Sequence, residues 1–192
     1  MQKIAKTATI AVRMPTPVGH AVGGLATAWL AESITRKSPW TIPLAVACAA
    51  IAMVPDLDLL LSIHRMYTHS VAAVAVVGLV SWLVLRRHTS LATRFALIIA
   101  AAYLSHLLLD WLGKDSSTPP GLMALWPFSA RFYISGLDLF GEVSRRYWKP
   151  EEFIVGNLKA VGRELMILGP VTAIAWYLRS RKTNHEGRNL PT

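Results

Sequence analysis

Seven side chains able to bind metal or move protons sit in otherwise apolar surroundings: His20, Asp56, Asp58, His64, His69, His106 and Asp110. Carboxylates mixed with imidazoles form an oxygen and nitrogen donor set, which suits Zn²⁺, Mn²⁺ or Fe²⁺ better than Ca²⁺ or Mg²⁺. His106 and Asp110 are spaced i, i+4, so they project from one helical face, one turn apart. Asp56 and Asp58 are spaced i, i+2 and cannot share a helical face, but Pro55 disturbs the local helix and would let both carboxylates turn inward. The set implies one or two divalent ions, Zn²⁺ foremost, with His20, Asp56, His69, His106 and Asp110 as ligands. Asp58 is then a general base or bridging ligand, and His64 a ligand or proton shuttle. Arg65 would steady negative charge on a phosphate or orient a ligand carboxylate.

The elements that must position these residues read as membrane helices. Hydrophobic residues make up 53% of the 192-residue chain and charged ones only 16%, far from ordinary soluble usage. Charge-free blocks run from Thr41 to Pro55, Ser70 to Leu85, Phe95 to Ser105 and Leu165 to Leu178. Each is shorter than the ~20 residues that span a bilayer core, so polar flanks must extend it. Extension predicts an all-α, polytopic bundle of about five helices: Val18 to Thr35, Trp40 to Ile63, Thr68 to Leu85, Leu91 to Leu112 and Glu152 to Leu178. Trp40, Trp82 and Trp176 lie near helix ends close to Lys or Arg, as interface anchors do. The chain reads as one membrane-embedded domain with a basic segment over residues 1–17 and a basic tail over 179–192. The connection from Gly113 to Glu151 is too aromatic for a flexible linker and predicts an ordered loop or short helices on the membrane surface.

If all five helices cross, alternation puts the seven residues at one face, although they come from four separate stretches of chain. An Asp at the centre of a spanning helix costs about 2.5 to 3.5 kcal/mol on insertion scales, so three carboxylates near the membrane demand compensation. A bound cation provides it.

The formal net charge of +9 does not imply nucleic acid, because Arg36 and Lys37, Arg86 and Arg87, and Arg179, Arg181 and Lys182 form short flanks at helix ends. Those clusters favour the cytoplasmic side, which puts the metal face outside. The basic start Met1 to Arg13 lacks the apolar core of a cleavable signal, so the first span is expected to do the targeting. Cys48, the single cysteine, packs as a small hydrophobe. Glu164 in the fifth helix reads as structural, His88 and His185 as solvated flank residues, and Arg65 and Asp115 as an ion pair or support for the ligands.

Taken in order, MPTPVGHAVGG, PDLDLLL, HRMYTHS, SHLLLDW and LMALWPFS resemble the membrane-bound, metal-dependent hydrolases called YdjM-like, inner-membrane proteins of bacteria and archaea. The likeness runs from His20 to about Phe128 and implies an all-helical membrane protein with hydrolase activity. By motif it places functional weight on His20, Asp56, Asp58, His64, His69, His106 and Asp110. Met66 and Tyr67 stand where many members have a glycine, and WLGKDSSTPPG replaces the short DxxTxxG turn that often follows the last Asp. The ligand order also resembles that of the helical zinc-dependent phospholipase C and nuclease P1 group, an analogy that favours phosphoester chemistry.

The expected function is metal-dependent hydrolysis at the bilayer interface of a lipid or lipid-linked phosphoester. Metal or proton transport is the rival, but it predicts polar residues through the whole membrane depth, whereas the stretches near Val46, Val80 and Leu97 are apolar. A third reading is a non-catalytic membrane protein with a structural metal.

Overall fold

The computed structural model describes residues 15–35, 41–61, 65–144 and 147–188. Five α-helices follow in order: α1 Pro17–Ile34, α2 Thr41–Ile51, α3 Val71–Leu85, α4 Ala92–Leu112 and α5 Pro150–Arg188. Two 3-10 segments, Val54–Leu61 and Tyr67–His69, lie between α2 and α3. Among the described residues there is no β-strand; the bridges Gly113 with Phe140 and Leu122 with Tyr133 pin the long connection before α5.

The second helix, expected to be continuous to Ile63, ends at Ile51 and continues past a short turn as 3-10 helix. Pro55 has no N–H to give the carbonyl four residues back, so the α-helical ladder cannot run through it. Downstream, Ser70 caps α3 by accepting a hydrogen bond from the Ala73 N–H at 3.3 Å, so α3 starts later than the predicted Thr68. At the C-terminal end, α5 outruns its prediction at both ends.

Helix α1 packs against α2, α4 and α5, and α4 also contacts α2 and α3. Thr16 meets Glu164 at one end of the α1–α5 pair and Glu32 meets Arg179 at the other, so these two helices run parallel. Ala28, Leu44, Ala45, Cys48, Phe95, Ile98 and Ala102 form an apolar layer between α1, α2 and α4. The connection is buried in two further clusters, Leu122 with Tyr103 and Leu107 and Phe140 with Leu109 and Leu168, and Leu122 and Phe140 are each 1% exposed. It is ordered but carries no helix over 113–144.

Of the five expected crossings, two stretches are long and apolar enough to span a membrane, Ile42–Leu59 and Ala92–Leu112. The 21 residues of α4 extend about 31 Å, close to a bilayer core. Helix α3 is apolar but has only 15 residues. The other two carry charge: Glu32 lies in α1, and Arg163 and Glu164 in α5. At the end away from the connection, Arg86 stacks over Trp82 at 4.8 Å and Arg181 over Tyr177 at 5.6 Å, an arrangement suited to a membrane interface.

Small residues let α1 and α2 touch by their backbones. A Cβ on Gly24 would come within 2.4 Å of the Cys48 carbonyl oxygen and 2.8 Å of the Ala52 Cβ. A backbone carbonyl cannot swing aside as a side chain can, so the helices themselves would have to part. Gly24→Ala is therefore expected to destabilise the protein by about 1–3 kcal/mol despite alanine's better helix propensity. A thermal melt in detergent followed by circular dichroism reads this as a lowered midpoint, and an unchanged or raised midpoint would contradict the close contact.

Candidate metal centre

Four segments deliver the candidate ligands to one buried point. Thr16 caps α1 with Pro17 in its first turn, a pairing that starts a helix firmly and sets His20 one turn in. The 3-10 turn after α2 supplies Asp56, the second 3-10 segment ends on His69, and α4 presents His106 and Asp110 from one face.

Asp110 lies at the middle of the group. Its carboxylate oxygens stand 3.3 Å from His20 Nε2, 3.3 Å from His69 Nε2 and 3.2 Å from His106 Nε2. Asp56 completes the ring slightly farther out, at 3.9, 3.9 and 3.8 Å from the same three nitrogens. His69 and His106 bring their Nε2 atoms within 3.1 Å of each other, and His20 stacks on His106 with ring centroids 3.7 Å apart. The three imidazoles are fully buried and the Asp110 side chain is 2% exposed, while that of Asp56 is 14% exposed and marks the open side.

The proton inventory of this ring points to a cation. His106 Nδ1 lies 2.7 Å from the Ala52 carbonyl oxygen, which can only accept, so Nδ1 carries the hydrogen and Nε2 a lone pair. Pro55 prepares this contact, because a helix continuing unbroken would have engaged the Ala52 carbonyl four residues on. On His69, Nδ1 faces Asp58 Oδ2 at 3.2 Å and the Thr68 hydroxyl at 3.0 Å, which turns its Nε2 inward. His20 Nε2, Asp56 Oδ1 and both Asp110 oxygens have no hydrogen-bond partner. Imidazole nitrogens and carboxylate oxygens thus converge at contact distance, an arrangement that a positive charge among them would stabilise.

Size and charge fit a divalent ion. Metal to ligand bonds of about 2.0–2.2 Å place neighbouring ligand atoms about 3 to 3.6 Å apart in a shared shell. The separations among the imidazoles and Asp110, 3.1 to 3.3 Å, fall in that range, and Asp56 stands just outside it at 3.8 to 3.9 Å. Two carboxylates facing three imidazoles supply the negative charge that would offset a dication in a low-dielectric interior. Two overlapping groups, His20 with Asp56 and His106, and His69 with His106 and Asp110, could each hold a metal ion.

A family model described as YdjM inner membrane protein matches residues 14–181, a span that holds every residue of this ring. The chain belongs to the YdjM inner membrane protein family. No curated protein and no solved structure matches it. In this YdjM family member the match also takes in most of α5, well beyond the motifs that carry the resemblance.

The remaining expected site residues fall elsewhere. Asp58 lies behind His69, where its Oδ2 accepts from the Thr68 hydroxyl at 2.5 Å and the Arg65 backbone N–H at 3.2 Å as well as facing Nδ1. Its carboxylate therefore points away from Asp56, although only one residue separates them. Arg65 directs its guanidinium to Asp115 and Ser117. Its backbone sits at φ 64°, a left-handed conformation rare outside glycine, fixed by Asp58 on its N–H and by the Met123 N–H on its carbonyl at 3.0 Å. The motif segment and the long connection are thereby tied together. His64 lies outside the described residues.

Contacts that the sequence reading missed are those made by backbone or by distant residues. The Ala52 carbonyl leaves no signature in residue type. Thr68 is visible only as a hydroxyl beside a histidine, whereas Thr16 and Pro17 together are a readable helix-start signal.

Proposed function

We propose that this protein is a membrane-embedded, metal-dependent hydrolase acting on a lipid or lipid-linked phosphoester. The carrying observation is the buried ring in which Nε2 of His20, His69 and His106 and the carboxylates of Asp56 and Asp110 converge within 3.1 to 3.9 Å. These residues would hold one divalent ion, Zn²⁺ by donor type, with Mn²⁺ or Fe²⁺ as the alternatives. Such an ion supplies a bound water of pKa about 7 and polarises a phosphoryl oxygen.

The chain's own residues define the rest. Asp56, at the open side, is the carboxylate placed to take a proton from a water at the mouth. Asp58 holds the His69 ring by its far nitrogen, a role we prefer to general base. Arg65 supports the connection through Asp115, which leaves charge stabilisation on a phosphate to groups at the mouth. Met53, Val54 and Leu57, on the same turn as Asp56, are exposed apolar side chains, which supports an amphiphilic substrate whose tail stays in lipid while its head group reaches the ion.

Alternating helix directions, with α1 and α5 parallel, support five crossings, with the marginal spans shielded by pairing. The apolar layer between the ligands and the basic end supports hydrolysis over transport, since it offers no polar path through the bundle. The test uses the purified protein, loaded with Zn²⁺ or Mn²⁺ and inserted in sealed vesicles, with labelled phospholipid and polyprenyl phosphate presented from each side. Hydrolysis from the extracytoplasmic side only, lost in His106→Ala, is the expected result. Intact substrates on both sides, with metal flux across the vesicle instead, would replace hydrolysis with transport.

A further inference from the structure

We propose that Glu164, on the last helix, is the positioning residue that aims His20 at the ion; this rests on the metal-centre reading above. Glu164 is fully buried in α5 and accepts the Thr16 backbone N–H at 2.6 Å and the Thr16 hydroxyl. That same hydroxyl oxygen accepts the Gly19 N–H at 3.1 Å, so its one hydrogen and one of its lone pairs are both committed. The carboxylate lies against the first turn of α1 so closely that a Cβ on Gly19 would stand 2.6 Å from Glu164 Oε2. Gly19 therefore makes room for Glu164, and Glu164 closes the end of the helix on which His20 is the next residue.

His20 needs this support more than its partners do. His69 and His106 are each held by an acceptor at Nδ1, so a second contact fixes the direction of their Nε2 lone pairs. His20 Nδ1 has no hydrogen-bond partner. Its direction follows from its backbone and from the stack on His106 alone. The backbone in question is a helix's first turn, where four N–H groups lack intrahelical partners and fraying begins. The Thr16 cap with an anion behind it is the arrangement that suppresses fraying there, by hydrogen bonding and by the sign of the helix dipole. An apolar side chain in its place would leave the buried Thr16 N–H without an acceptor and the first turn of α1 without its anion.

The full-length protein in detergent, loaded with Co²⁺ as a visible reporter, tests the role. Glu164→Gln and Gly19→Ala are each expected to weaken Co²⁺ binding about tenfold or more, in the range of losses for residues that orient a ligand, and to shift the visible absorption band. The two changes break one contact from opposite sides, so the double variant is expected to be no worse than the weaker single one. If Glu164→Gln fails to fold, Gly19→Ala alone decides, because it keeps every polar group and improves helix propensity. Variants that keep the unaltered band and affinity, even with a lowered melting point, would overturn the proposal and leave the metal centre standing. Absence of any Co²⁺ band in the unaltered protein would overturn the metal centre and the proposal together.

Discussion

Asp110→Ala is expected to strip the protein of its metal. Asp110 approaches all three imidazole nitrogens at 3.2 to 3.3 Å, closer than Asp56, so its loss opens the middle of the shell. Structural zinc sites bind with about 10–16 kcal/mol, which shared among their ligands is about 3 kcal/mol each, or a loss of about 10²-fold in affinity for one ligand removed. Elemental analysis after purification should find near-stoichiometric metal in the unaltered protein and little in the variant. Linkage gives a second reading of the same prediction: a chelator should lower the melting point of the unaltered protein and leave that of Asp110→Ala unmoved. Equal metal content in both proteins would remove the central claim.

Asp58 should give a graded response. In Asp58→Ala, the Arg65 N–H, the Thr68 hydroxyl and His69 Nδ1 lose a shared acceptor at Oδ2, at a cost of about 1–3 kcal/mol in stability and about 10- to 100-fold in metal affinity. Asp58→Asn keeps an amide oxygen in that place and loses only the charge, so its affinity should fall between the two. A general base behaves differently: the asparagine would keep full metal affinity and lose turnover by about 10²- to 10⁴-fold. Metal titration of the three proteins beside their turnover separates these roles, and a metal affinity unchanged in Asp58→Ala would rule out the orienting one.

The five ring residues were legible because type and place contradict each other in the sequence. Histidine and aspartate inside apolar helices need a reason, and His106 with Asp110 at i, i+4 have one face by helix geometry alone. Asp56 and Asp58 were harder, since Pro55 announces a broken helix without saying which carboxylate the break turns inward. Orientation came from the 3-10 geometry and from Thr68 and Arg65, which act on Asp58 from the next segment. Glu164 could be read only as structural, because its partner Thr16 lies far away in the sequence and no local pattern links them. The marginal spans share a cause with the site: His20, Glu32 and Glu164, which lower the apolarity of α1 and α5, are residues that those helices use to reach each other or the ring.

The order of the ligands along the chain fixes when the site can exist. His20 is synthesised first and Asp110 last of the five, with α2, both 3-10 segments and α3 made in between. A nascent chain therefore holds no complete set until the fourth helix has emerged, and any ion met earlier finds too few ligands to keep it. Metal capture is a late event in biogenesis, and retention of the ion reports that the first four helices have come together correctly.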